Sequence, residues 1–169
     1  SANVANTRGA VNAMSTSDNP IHDILRTAIQ REIDAYTLYT NAAKMIDTPH
    51  AQDILKDLAA QEVGHRNKLE ALLKGNVFRV ISKGQQQQVV DLKITDYLVE
   101  EPLSPDSDFQ DILIVAGKRE SASHSLYASL AKVSEDADTT KLFEYLANEE
   151  LTHKHRVESL YDEIVYKEN

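Results

Sequence analysis

The sequence predicts an all-α protein: a four-helix bundle of two antiparallel helix hairpins joined by a long crossover. Three observations carry that expectation. The 169 residues are 41% hydrophobic but include only five Gly and four Pro, a balance that favours long helices over many turns. Four segments repeat apolar residues at alternating three- and four-residue steps, the spacing of one helical face. The second pair of segments also repeats the first: Arg31-Glu32 and Arg119-Glu120 each lead, seven residues past the Glu, to a tyrosine, Tyr39 or Tyr127.

The breakers delimit the helices. Residues 1–17 are rich in Ser, Asn, Thr and Ala without a periodic pattern and read as an N-terminal extension. Met14 reads as the natural start, with residues 1–13 a cloning remnant. The domain is expected over residues 18–169. Asn19-Pro20 supplies a cap and a first helical residue, opening a helix to about Ile46. Asp47-Thr48-Pro49 makes the turn and the next cap, and the second helix runs to about Lys74, before Gly75. The third helix opens at Ser104 or Asp106 and ends near Glu135. A turn over 136–138 leads to the fourth, which continues to about Tyr166. Residues 75–105 are too long for a tight turn and are expected to run back along a bundle about 40 Å long. Within them Gln85–Gln88 reads as polar loop, and Val89-Val90 with Leu92-Lys93-Ile94 as a short strand or a covering segment.

Each apolar seam carries charge at its middle. On the first, Ile21, Leu25 and Ala28 precede Glu32, and Ala35, Tyr39, Ala42 and Ile46 follow it. The second places Glu62 and His65 between Leu58 and Leu69. The third places Glu120 between Ala116 and Tyr127, and the fourth places Glu150 and His153 between Leu146 and Val157. The intervals match: Glu62 and His65 lie 30 and 33 residues after Glu32, and Glu150 and His153 lie 30 and 33 after Glu120. A lone Glu-x-x-His says little, because about 0.5 such pairs arise by chance in this composition. The matched intervals on apolar seams are what give it weight.

Geometry then brings the six side chains together. Glu32 and Glu62 lie 15 residues either side of Asp47, and Glu120 and Glu150 lie 16 before and 14 after Asp136. Arms of roughly 22 Å therefore bring both carboxylates of each hairpin to one level. The i, i+3 step stacks each Glu with its His. No Lys or Arg lies on those seams, and ionised carboxylates buried without partners would each be strongly unfavourable. Four carboxylates and two imidazoles suit a binuclear site for iron or manganese. Two divalent cations would move the net charge from −9 to −5. The competing reading is a structural bundle in which each Glu holds a proton or pairs with a His, but it leaves the matched spacing unexplained.

Composition bounds the partners. A net charge of −9 argues against nucleic acid, whose phosphates need basic patches. The absence of cysteine excludes disulfides, iron–sulfur clusters and thiol catalysis within these residues. No apolar stretch is long enough to span a bilayer and no signal-peptide pattern opens the chain, so no membrane and a cytoplasmic location are expected. Among the other histidines, His124, one turn after Glu120, is a minor candidate to approach the site and is expected to lie outside it. His155 is expected to face away, and His22 and His50 to lie near helix starts. Glu149 lies about 100° around the helix from its neighbour Glu150 and reads as solvated.

The paired Glu…Glu-x-x-His units, set on four helices with one long crossover, resemble the ferritin-like superfamily. Within it the chain is most similar to the rubrerythrin-related di-iron carboxylate proteins, over residues 18–167. The resemblance implies two iron ions per chain, with manganese or a mixed pair as the variant. Glu32 and His65 would serve one metal and Glu120 and His153 the other, with Glu62 and Glu150 bridging. Tyr39 and Tyr127 would hydrogen-bond ligand carboxylates, which makes Glu62, Glu150, Tyr39 and Tyr127 the candidate catalytic residues. Two departures stand out. Rubrerythrins carry a further Glu one turn past the third-helix ligand, where this chain has Ser123, and they commonly end in a four-Cys iron domain. Only 16 residues follow His153, too few for the fifth helix of a ferritin cage.

The resemblance implies an oxidoreductase acting on hydrogen peroxide or dioxygen in protection against oxidative stress, supplied by an external electron-donor protein. The alternative is an iron-binding ferroxidase without a dedicated donor. A homodimer is expected, since the family commonly pairs and two-fold dimers are the commonest homo-oligomers.

Overall fold

A computed structural model describes residues 20–75 and 103–168. Four helices form among them: α1 (Pro20–Lys44), α2 (Pro49–Lys74), α3 (Phe109–Val133) and α4 (Ala137–Glu168). The expected extension, the Asn19 cap, the Gln85–Gln88 loop and the Val89–Ile94 strand all lie outside the described residues. No helix among the described residues is long and apolar enough to cross a membrane.

The helix ends follow local chemistry. Pro49 begins α2, where a missing N–H costs nothing, and Gln52 Nε2 reaches back to donate to the Ile46 carbonyl at 2.7 Å. The third helix starts later than Ser104 or Asp106. Those residues form a turn closed by Ser107 N–H donating to the Ser104 carbonyl at 3.0 Å. The cap is Asp108, whose carboxylate accepts from Asp111 N–H at 2.8 Å while the Asp111 carboxylate accepts from Asp108 N–H at 3.1 Å. Asp136 begins α4 in a related way. One of its oxygens accepts from the Thr139 amide at 2.9 Å and from its hydroxyl at 3.0 Å, and these bonds hold the Asp136 carboxyl below its usual range. The helix therefore opens at Ala137, inside the segment expected to be a turn.

Two apolar clusters fix the topology. At one end the start of α1 (Ile21, Leu25) packs with the end of α2 (Leu69), the end of α3 (Leu130) and the start of α4 (Phe143). At the other, the end of α1 (Tyr39, Ala42) packs with the start of α2 (Leu55, Leu58), the start of α3 (Leu113) and the end of α4 (Leu160). Neighbours within each hairpin are therefore antiparallel, and so are α1 and α3. The second hairpin runs opposite to the first, the arrangement a long crossover permits. Between the two clusters lies a polar layer of Glu32, Glu62, His65, Glu120, Glu150 and His153, all at most 3% exposed.

Leu58 is fully buried in the second cluster, so Leu58→Ala is expected to lower the unfolding free energy by about 2–5 kcal/mol. Asp108→Ala, which removes only a cap, is expected to cost about 1 kcal/mol. Denaturant unfolding of the two variants measures the difference, and equal losses would show that the core is not as tightly packed as described.

Candidate metal centre

Each helix delivers its polar residues to the layer because they occupy the positions its apolar seam would otherwise fill. Crossing contacts then tie the two hairpins together. Tyr39 on α1 donates to Glu120 Oε1 of α3 at 2.5 Å, and Tyr127 on α3 donates to Glu32 Oε1 of α1 at 2.6 Å. Between α2 and α4, His65 Nδ1 lies 3.0 Å from Glu150 Oε1 and His153 Nδ1 lies 2.5 Å from Glu62 Oε1. The two imidazoles stack with centroids 5.2 Å apart and planes 13° from parallel. Every one of these contacts has its counterpart 88 residues away, so the layer has a pseudo-two-fold arrangement.

The six side chains expected to meet do meet. Ligand-type atoms of Glu62, His65, Glu150 and His153 lie within 4.8 Å of one another and can hold a metal ion. His65 Nδ1 is also 3.8 Å from Glu32 Oε2 and 4.0 Å from Glu62 Oε2. His153 Nδ1 is 3.8 Å from Glu120 Oε1 and 4.0 Å from Glu150 Oε2. Each imidazole thus has Glu62 and Glu150 in common and one further carboxylate of its own. Glu32 Oε2 and Glu120 Oε2 are buried with no hydrogen-bond donor. Such acceptors are costly in an apolar core, and a cation beside each would remove that cost. The donor set and these orphaned oxygens therefore fit divalent metal.

The electrostatics follow from crowding. Burial, then the charges of Glu120 and Glu32, push Glu62 well above the usual carboxylate range, and the same causes act on Glu150. Burial raises Glu120 as well, opposed by hydrogen bonds from Glu150 and Tyr39. At Glu32 burial also acts upward, but the nearby Glu62 carboxyl and His65 imidazole outweigh it and hold it down to about 2. The layer as a whole therefore keeps protons that entering cations would displace. Burial, reinforced by the neighbouring carboxylates, raises both tyrosine hydroxyls well above 10, so they remain donors. Burial and His65 lower His153 to about 4, leaving its imidazole neutral at physiological pH, the form that binds metal.

His124 does not approach the layer: its Nδ1 lies 2.7 Å from the Ala147 carbonyl. Two other residues depart from the sequence-based expectation. Glu149, expected to be solvated, is 30% exposed and places Oε2 3.9 Å from Nε2 of both His65 and His153. It reaches inward because the stacked rings present their outer edges toward it. Gln61, outside the expected site, places its Oε1 2.7 Å from His153 Nε2. Comparing the residue before each Glu-x-x-His unit would have singled out both. Arg31 and Arg119, though off the seams, line a small cavity of about 10 Å³ with Ala35, Ser123 and the four Glu residues. His155 is exposed, as expected, and His50 sits at the surface 3.9 Å from Glu163.

For Glu62 and Glu150 the folded protein holds its proton to higher pH than the unfolded chain. Their contribution to stability is complete below about pH 4.5 and is lost as the pH rises through the folded values. His153 acts oppositely: its contribution is complete above pH 6.5 and is lost as the pH falls toward 4. From pH 6.5 upward, the metal-free protein is therefore expected to melt at progressively lower temperature, and Glu62→Gln with Glu150→Gln to flatten that fall. Thermal unfolding in chelator checks this, and a melting temperature that rises with pH would contradict it.

Known proteins place this arrangement. No curated protein matches the chain. A solved structure, a hypothetical protein from Pyrococcus furiosus, is similar at a TM-score of 0.67 and 19% identity, covering 90% of this chain and 95% of that one. At that identity the likeness bears on the fold. The Rubrerythrin family model matches residues 19–105 and 111–169, which takes in both hairpins and every residue of the polar layer. The chain belongs to the rubrerythrin family.

Proposed function

We propose that the layer binds two iron ions and that the protein is a di-iron oxidoreductase reducing hydrogen peroxide or dioxygen, protecting against oxidative damage. The observation that carries this reading is the pairwise convergence of four buried carboxylates and two imidazoles, with two carboxylate oxygens lacking any donor. Glu32 and His65 would hold one metal and Glu120 and His153 the other, while Glu62 and Glu150, close to both imidazoles, would be shared. Manganese in one or both positions uses the same donors. When bound, such a pair would supply the two electrons that reduce peroxide or dioxygen.

The chain's own residues shape that chemistry. Tyr39 and Tyr127 each occupy one oxygen of Glu120 and Glu32, which orients the other oxygen of each carboxylate. Glu62 and Glu150, whose carboxyls keep their protons to higher pH than usual, would give them up to cations held in the layer. The cavity beside the carboxylates is small, with room for about one water-sized molecule, so the layer is largely closed to bulk solvent. No cysteine lies within these residues, so we assign the electrons to a separate donor protein. Ser123 lines that cavity where a Glu is usual in the family, and this favours as the second reading a ferroxidase that takes Fe(II) and dioxygen without a dedicated donor. We further place the protein in the cytoplasm as a homodimer, with no role for nucleic acid or membrane.

Anaerobic titration with Fe(II) should reach two ions per chain, and one tetrahedral zinc or no metal would sink the reading. The reduced protein should be oxidised by stoichiometric peroxide much faster than by air. Glu62→Ala or Glu150→Ala should lower that rate by roughly 100-fold or more. Oxidation of Fe(II) beyond two equivalents with dioxygen, without preference for peroxide, would select the ferroxidase. Light scattering at micromolar concentration should give a dimer, and a monomer would remove that part of the proposal.

A further inference from the structure

The repeat that makes the halves equivalent at the carboxylates breaks one layer further out. A displacement of 88 residues carries Glu32, Glu62, His65 and Tyr39 onto identical residue types at 120, 150, 153 and 127. The same displacement carries Gln61 to Glu149, Asp57 to Tyr145 and Lys68 to Arg156. These six residues surround the outer nitrogens of the two imidazoles, so the two rings meet different chemistry.

On the His153 side the surroundings form a closed hydrogen-bond chain. Nε2 lies 2.7 Å from Gln61 Oε1, and Gln61 Nε2 donates to Asp57 Oδ2 at 2.8 Å. Arg156 Nη1 donates to that same oxygen at 2.8 Å, so a charged pair holds the amide in place. The acceptor that reaches the imidazole is nevertheless neutral. On the His65 side no amide intervenes. Nε2 faces Glu149 Oε2 at 3.9 Å, Tyr145 meets the ring edge-on at 6.4 Å, and Lys68 Nζ sits 5.2 Å from the Tyr145 ring centroid. Glu149 is equally far from His153 Nε2, but the single proton of that nitrogen is already directed to Gln61. The N–H of His65 is the one left for the carboxylate.

We propose that Glu149 and Gln61 make the two metal positions unequal, with Glu149 a positioning residue that causes the His65 position to bind the more tightly and fill first. This rests on the reading of the layer as a two-metal site. When Nδ1 carries metal, Nε2 carries the proton. A carboxylate accepting that proton makes Nδ1 a stronger donor, and charge-assisted bonds of this kind are roughly twice as strong as neutral ones. The neutral Gln61 gives His153 orientation without that added basicity. The partial exposure of Glu149 leaves its side chain free to close the remaining distance as the imidazole becomes polarised.

Anaerobic calorimetry with Fe(II) tests this on the wild type, Glu149→Gln and Gln61→Glu, with thermal unfolding of the metal-free proteins as the control for folding. Both changes are isosteric. Glu149→Gln should weaken the first binding step by about tenfold and leave the second nearly unchanged, whereas Gln61→Glu should strengthen the second. Mössbauer spectra of protein loaded with two equivalents of Fe(II) should give two resolved doublets in the wild type and a merged pair in either variant. If two ions bind but neither variant moves a binding step by more than twofold, the inference is overturned and the two-metal reading stands. If the wild type binds no Fe(II), both fall together.

Discussion

Glu32, Glu62, Glu120 and Glu150 occupy one cross-section of the bundle, each at most 3% exposed, with two imidazoles and two tyrosine hydroxyls against them and Arg31 and Arg119 lining the cavity beside them. In a medium of low dielectric, such a group cannot carry four charges unaided. The metal-free layer relieves the repulsion by keeping protons on Glu62 and Glu150, where burial and neighbouring charges raise the carboxyls furthest. A pair of cations would relieve it without protons. The same constraint thus predicts the affinity for metal, the proton release on binding and the pH dependence of the empty protein.

That constraint also organises the packing. The apolar core is divided into two clusters, one on each side of the polar layer, and each cluster draws on all four helices. The layer must be closed by contacts between hairpins as well as within them. Tyr39 and Tyr127 do this across α1 and α3, and His65 and His153 do it across α2 and α4. Removing a tyrosine hydroxyl would therefore free a buried carboxylate oxygen and loosen the register of the two hairpins at once.

Symmetry in the inner ring and asymmetry outside it have different physical origins. The inner ring repeats equal donors in both halves, as two cations of equal charge would require under the proposed reading. The outer ring has no such requirement, since Gln61, Tyr145 and Glu149 lie against the outer edges of the imidazoles and Asp57 meets them only through Gln61. Small differences there can tune the two positions separately without disturbing the packing of the clusters.

The helical period and the matched intervals were sufficient by themselves to determine four helices, their pairing, and the six residues of the polar layer. Both are local properties: a seam at 3.6-residue spacing states which side chains share a face, and equal arms about a turn state which share a level. The family resemblance added Tyr39 and Tyr127 to that set. Tertiary structure decided the rest. That Tyr39 holds the carboxylate of Glu120, on the other hairpin, depends on how the hairpins cross, and no spacing within one helix contains it. Glu149 read as solvated because its angle was measured on its own helix, whereas its neighbours are rings from two helices. Gln61, Asp57 and Arg156 form their chain across α2 and α4 for the same reason. The start of α3 moved to Asp108 because its reciprocal bonds with Asp111 outcompete the turn residues just before it. Sequence periodicity states which side chains face inward; only the packed bundle states which of them meet.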